Sequence, residues 1–158
     1  SAQVVGSPML GHLLSAAGTQ HDLERAEHVW QELLPLVPQL SCPVYGARAR
    51  ALLLCGAAPK VPPLRAEMES RGVQPDFRVY KNEAQAHLLL LHEQPSSAGH
   101  LGNLDEAVEL ALSRASCQPV SRNELGEART MRQLGRRIAA GDGLSLREAR
   151  VERWPWPQ

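Results

Sequence analysis

Apolar positions recur at helical spacing in short blocks, each ended by Gly or Pro. The clearest block is "HDLERAEHVWQELLPLV". Leu23, Ala26, Val29, Trp30 and Leu33 keep one face at three-, four- and seven-residue steps, and Asp22 stands where an N-cap belongs. Trp30 is therefore expected in the core. Before it, "PMLGHLLSAAG" predicts a helix stopped at Gly18. After it, "VYGARARALLLCG" predicts another, followed by "PPLRAEMESRG", a short helix that starts at Pro62 and Pro63 because neither ring fits a helix interior. Met68 falls on its apolar face and is expected to be buried. "RVYKNEAQAHLLLLHEQ" and "NLDEAVELALSR" predict two more, the latter capped by Asn103 or Asp105. The intervening residues 95–102, "PSSAGHLG", have no periodicity and read as a surface loop. In "SRNELGEARTMRQLGRRIAA", Ser121 and Glu124 form a capping box, and Leu125, Ala128, Met131, Leu134 and Ile138 form the stripe. Gly141-Asp142-Gly143 is a turn, and "LSLREARVERW" predicts a last short helix capped at Ser145.

The blocks repeat. Pro8 and Pro43, Leu10 and Tyr45, Gly11 and Gly46, Leu33 and Met68 are each separated by 35 residues, and Tyr80 lies 35 beyond Tyr45. Each unit is a helix, a break and a second helix. The units span about 7–41, 42–76 and 77–120, the third carrying the 95–102 insertion. The stretch "AEMESRGVQPDFRVY" is thus a joint between units. Gly72 ends one helix in a left-handed turn, and Pro75 holds Gln74 extended before the next begins. Residues 121–150 are expected to cap the last apolar face, as a stack of repeats requires. Residues 151–158 form an extended tail.

The joint, Tyr45 in the first helix, Gly56 at the turn and Glu67-Met68 in the second helix resemble the pentatricopeptide repeat family. "DLERAEHVWQEL" and "GNLDEAVELAL" are similar to its second helix, and the resemblance covers about residues 7–120. The 34-residue tetratricopeptide repeat is the rival, but its Trp, Gly and Tyr pattern is not present in the first helices. The resemblance implies an all-α fold, a short right-handed solenoid of about three helix-turn-helix repeats with a capping helix. It also implies an organellar protein, mitochondrial or plastid. In that family the first helices line a groove for RNA, and two side chains per repeat read one base. Carried over, the reading pairs are Gly11 with Ser41 and Gly46 with Asp76. Lys81 leads the third, whose partner the insertion obscures. Glycine offers no side-chain hydrogen bond and lysine prefers phosphate, so base readout is not expected.

Composition narrows the function. With 158 residues the chain holds one ordinary domain, and its aromatic content of 4% suits helices packed through aliphatic side chains. Formal charge is zero, which removes any global pull toward nucleic acid or membrane. All but two of the 17 basic residues are Arg, a preference that either serves bidentate contacts or follows from a GC-rich genome. Local charge is more telling. The first helices carry Arg48, Arg50, Arg78 and Lys81 against Glu83 alone, a modest positive strip where phosphates would run. In the second helices acids outnumber bases nine to five.

No catalytic constellation is legible, and no cofactor is expected. His12, His21, His28, His87, His92 and His100 are scattered; His87 and His92 are five apart, off the four-residue spacing that shares a metal on one helix, so the histidines read as solvated surface. Cys42, Cys55 and Cys117 are odd in number and far apart, fitting buried thiols in a reducing compartment. No apolar run approaches the roughly 18 residues of a membrane span. The chain opens on Ser1, which reads as a mature form after removal of a targeting peptide or as a fragment. In the tail, Trp154 and Trp156 alternate with Pro155 and Pro157 as candidate partner anchors. The expected function is a non-enzymatic helical-repeat binding module. It would be a subunit of an organellar complex or ribonucleoprotein, with protein subunits as partners and at most weak, sequence-indifferent RNA contact. The alternative is a stand-alone organellar RNA-binding factor.

Overall fold

Two prolines 35 residues apart open two of the helices. Pro8 and Pro43 sit in the first turns of α1 (Ser7–Thr19) and α3 (Cys42–Leu54), where the missing N–H costs nothing. Side-chain caps open four others. Asp22 accepts from the Arg25 amide to start α2 (Leu23–Leu33), and Asp76 accepts from Val79 to start α5 (Phe77–Glu93). Ser97 accepts from His100 for α6 (Ala98–Arg114), and the Ser121–Glu124 box starts α7 (Arg122–Ala139) as expected. The short α4 (Pro63–Ser70) begins at the prolines, again as expected. The computed structural model describes residues 5–142, and among them every regular element is helical. Ser145 and the tail, with Trp154 and Trp156, lie outside the described residues.

Three local expectations need correction. Helix α1 does not stop at Gly18 but runs to Thr19; the glycine is buried inside it. A Cβ on Gly18 would lie 2.8 Å from the Cα of Ala51, so α1 and α3 meet there backbone to backbone. Helix α2 gives way at Leu33 to a 3-10 turn over Leu34–Leu36, because Pro35 supplies no amide for the α-helical ladder. Residues 95–102 are mostly not loop. Helix α6 begins at Ala98, so its cap is Ser97 and not Asn103 or Asp105. The half-buried Leu101 extends the stripe of Leu104, Val108 and Ala111 by one turn, while Gly99 and Gly102 face outward.

The described residues form two compact units, divided between Pro75 and Asp76. In the first, α1 packs on α3 and α2, and α4 packs on α3. Ala17, Ala26 and Ala51 cluster where α1, α2 and α3 meet, fully buried, and their small size permits the close crossing at Gly18. Leu10 and Tyr45, equivalent in the 35-residue period, are both buried, as are Trp30 and Met68. In the second unit each of α5, α6 and α7 packs against the other two. Helix α5 is buried through every position from Glu83 to Leu89, and Ala128, Met131, Leu134 and Ile138 of α7 form the expected stripe, with Leu125 only half-buried.

Helix ends carry the period as well. At the end of α3, Gly56 takes φ 72°, and the next amide, of Ala57, donates back to Leu52. The equivalent position at the end of α1 is His21, the one described non-glycine residue with positive φ, at 54°. Asp22 there donates to Ala17 in the same six-to-one bond. From this left-handed backbone the His21 imidazole puts Nδ1 2.9 Å from the carbonyl of Leu54, the last residue of α3, and donates to it. One helix end thereby satisfies an orphan carbonyl of the next.

Candidate functional site

The candidate phosphate contacts are placed individually by the fold. Arg48 is not on the surface. Its side chain is 7% exposed, with Nη2 2.9 Å from Glu27 Oε1 and its guanidinium 5.2 Å from the Trp30 ring centre. Trp30 meets Tyr45 edge-on at 5.5 Å, and Lys60 approaches the same Glu27 at 3.5 Å. The buried Nε and Nη1 of Arg48 have no hydrogen-bond partner, so the indole face and Glu27 together carry its charge. Its expected place among the groove cations is corrected to an internal brace between α2 and α3.

Tyr45 extends that brace. Its hydroxyl donates to Glu67 Oε1 at 3.4 Å, and Glu67 also faces Arg71 at 3.5 Å. Burial, reinforced by the Glu67 charge, pushes the phenol up to about 12.

In the second unit the cations meet carboxylates of α7. Arg78 Nε lies 3.2 Å from Glu124 Oε1, and Lys81 Nζ lies 2.8 Å from Glu127 Oε2. Arg78 remains 57% exposed, whereas Lys81 is 19% exposed. Burial pushes the Glu124 carboxyl up, but the Ser121 amide and hydroxyl, with Arg78 and Lys81, more than offset it and hold it below its usual range. Asp76, the expected second base reader, spends Oδ1 on the α5 cap. Gly46 has open space beside it in mid-helix. Arg50 is exposed with no ion pair among the described residues.

One groove in the first unit lies between α1 and α3, about 360 Å³ in volume. Pro8, Gly11 and Ser15 line one wall, Pro43, Val44 and Ala47 the other, and His12 and Ser41 border it. It carries no formal charge. The first-unit pair Gly11 and Ser41 thus lines this groove, while Gly46 and Asp76 are not among its lining residues.

The reading of the histidines holds for four, fails for His87 and fails in part for the half-buried His100. His12, His21, His28 and His92 are exposed, but His87 is buried, with Nε2 3.7 Å from Glu83 and its ring 6.2 Å from that of His100. Both Nδ1 atoms are buried without a hydrogen-bond partner. The usable signal was the four-residue step from Glu83 to His87. Among the described residues no three His, Cys, Asp or Glu side chains are placed to hold a metal ion. The thiols are not buried as expected: Cys117 is exposed and the others half-buried, Cys42 donating to the Gln74 carbonyl. Among the described residues no helix is long and apolar enough to cross a membrane.

No family model, curated protein or solved structure matches the chain.

Proposed function

We propose that this chain is a non-catalytic helical-repeat binding module, built as a short pentatricopeptide-like solenoid and acting as a subunit of a larger organellar complex or ribonucleoprotein. The organellar setting rests on the repeat resemblance. The observation that carries the binding reading is the state of the first helices' charges: Arg48, Arg78 and Lys81 each face a carboxylate supplied by the fold. The uncharged α1–α3 groove, by contrast, is left open. Protein contact is therefore the main role, and RNA is touched weakly, through phosphates and without base preference. The glycines at the base-reading places support that ranking.

The test is the native assembly. RNase treatment should leave the chain in place, and Ala47→Arg, which puts a charge in the groove, should reduce incorporation without loss of helicity. Release by RNase would favour the stand-alone RNA-binding factor, a reading that the exposed Arg50 and Arg78 support.

A further inference from the structure

We propose that α7 guards the cations of α5, so that Glu124 and Glu127 hold Arg78 and Lys81 from the backbone of single-stranded RNA. The proposal rests on the weak phosphate contact described above and names what limits it. The two carboxylates are three residues apart on α7, and the two cations are three residues apart on α5. Each pair therefore occupies one face of its helix, and the faces meet charge for charge.

These ion pairs are not the main hold on α7. The Arg78–Glu124 pair, with Arg78 more than half in solvent, contributes about 0–1 kcal/mol, whereas the Lys81–Glu127 pair is largely shielded. Helix α7 is seated instead by Met131, Leu134 and Ile138, all buried, and by the approach of Gly135 to Leu104. It is tied to α6 as well, since Arg132 binds Glu109 and lies 3.8 Å from Asp105. What the Glu124 and Glu127 pairs change most is the local potential. They cancel two positive charges, Arg78 more than half exposed and Lys81 largely covered, and a phosphate chain must displace carboxylates before it gains those contacts. Binding then costs an exchange of partners instead of a simple release of counterions.

The experiment uses the full chain and a labelled oligouridylate at several salt concentrations. Glu124→Gln with Glu127→Gln should bind about tenfold more tightly at low salt. The slope of log affinity against log salt should steepen by roughly 1.4, the value for two added single-strand phosphate contacts. Gln still serves the capping box at residue 124, so helicity and melting temperature should stay close to the parent values. If the double variant does not fold, Glu127→Gln alone, which leaves the cap untouched, should steepen the slope by about 0.7. Adding Arg78→Gln and Lys81→Gln should return affinity to the parent level. Unchanged affinity in the folded Gln variant, while Arg78→Gln and Lys81→Gln weaken the parent chain, would overturn the guard and keep the phosphate reading. No binding by either protein would overturn both.

Discussion

In the first unit, helix packing is decided by the backbone. Gly18 has no room for a Cβ, which would lie 2.8 Å from the Cα of Ala51, and three buried alanines cluster at the crossing. In the second unit the corresponding close approach is made by a side chain. A Cβ on Gly135 would lie 2.3 Å from a methyl of Leu104, and charged residues on α5, α6 and α7 pair around the core. Two units of one chain thus reach dense packing by different means. A contact set by Cα atoms fixes the distance between helices and leaves side chains little freedom. A contact set by a Leu methyl and surface ions fixes orientation while letting the distance relax. The ion pairs follow the same division. Arg48 is enclosed behind an indole in the first unit, whereas Arg78 is more than half exposed in the second.

The largest effect should come from removing the indole. Trp30→Ala opens space beside Tyr45 and takes away the surface over which the Arg48 charge is spread. A loss of about 3–5 kcal/mol is expected by chemical denaturation, more than for any substitution at Arg78. An equal cost for both would erase the contrast between enclosed and exposed charge.

Alkali and acid should next separate the two units. The Tyr45 phenol titrates at about 12 in the folded chain, above the ordinary value of 10. Below pH 10 folded and unfolded states both keep the proton, and the stabilisation is complete. Above it the unfolded chain ionises first, so stability falls by up to about 2–3 kcal/mol as pH approaches 12. Tyr45→Phe should flatten that limb. Glu124 behaves in the opposite sense: its carboxyl is held low, so its contribution is present above the usual carboxylate range and fades as acid protonates the folded form. Glu124→Gln should remove part of the acid dependence and none of the alkaline.

Smaller effects come from the two crossings themselves. Gly18→Ala should cost about 1–3 kcal/mol, because backbone must shift. Gly135→Ala should cost less, since a Leu side chain can turn and alanine gains helix propensity worth up to about 1 kcal/mol. If the order is reversed in thermal melts, the backbone crossing is looser than the geometry implies. The smallest difference is at His21. His21→Gly loses the bond to Leu54 but relieves the left-handed strain of about 1 kcal/mol, whereas His21→Ala loses the bond and keeps the strain. The alanine variant should melt lower by a few degrees, and a glycine variant melting at or below it would count against the strain.

Much of this fold was legible because it depends on near neighbours in sequence. The caps at Asp22 and Ser121, the proline starts and the apolar stripes of α2 and α7 are all decided within about seven residues. The misses needed distant partners. Gly18 looks like a helix stop until Ala51, more than thirty residues away, is placed against it. Ser97 was hidden because Gly99 and Gly102 break the appearance of a helix, although both face solvent. The charges of the candidate site were counted correctly, but Arg48 lies buried in the first unit and not on a groove. Nothing near Arg48, Arg78 or Lys81 in sequence announces Glu27, Glu124 or Glu127. The step from Glu83 to His87 was local, and it passed unread among leucines.

The imidazole of His21 on the last carbonyl of α3 also bears on how the first unit comes apart. Helices open locally, and an opening spreads where two helix ends share a bond. Here the turn that closes α1 is also the stopper on α3, so loosening the first pair uncaps the second. The two ends are wired in series. Amides in the last turns of α1 and α3 should therefore exchange with solvent at matched rates, and His21→Ala should let the two rates diverge.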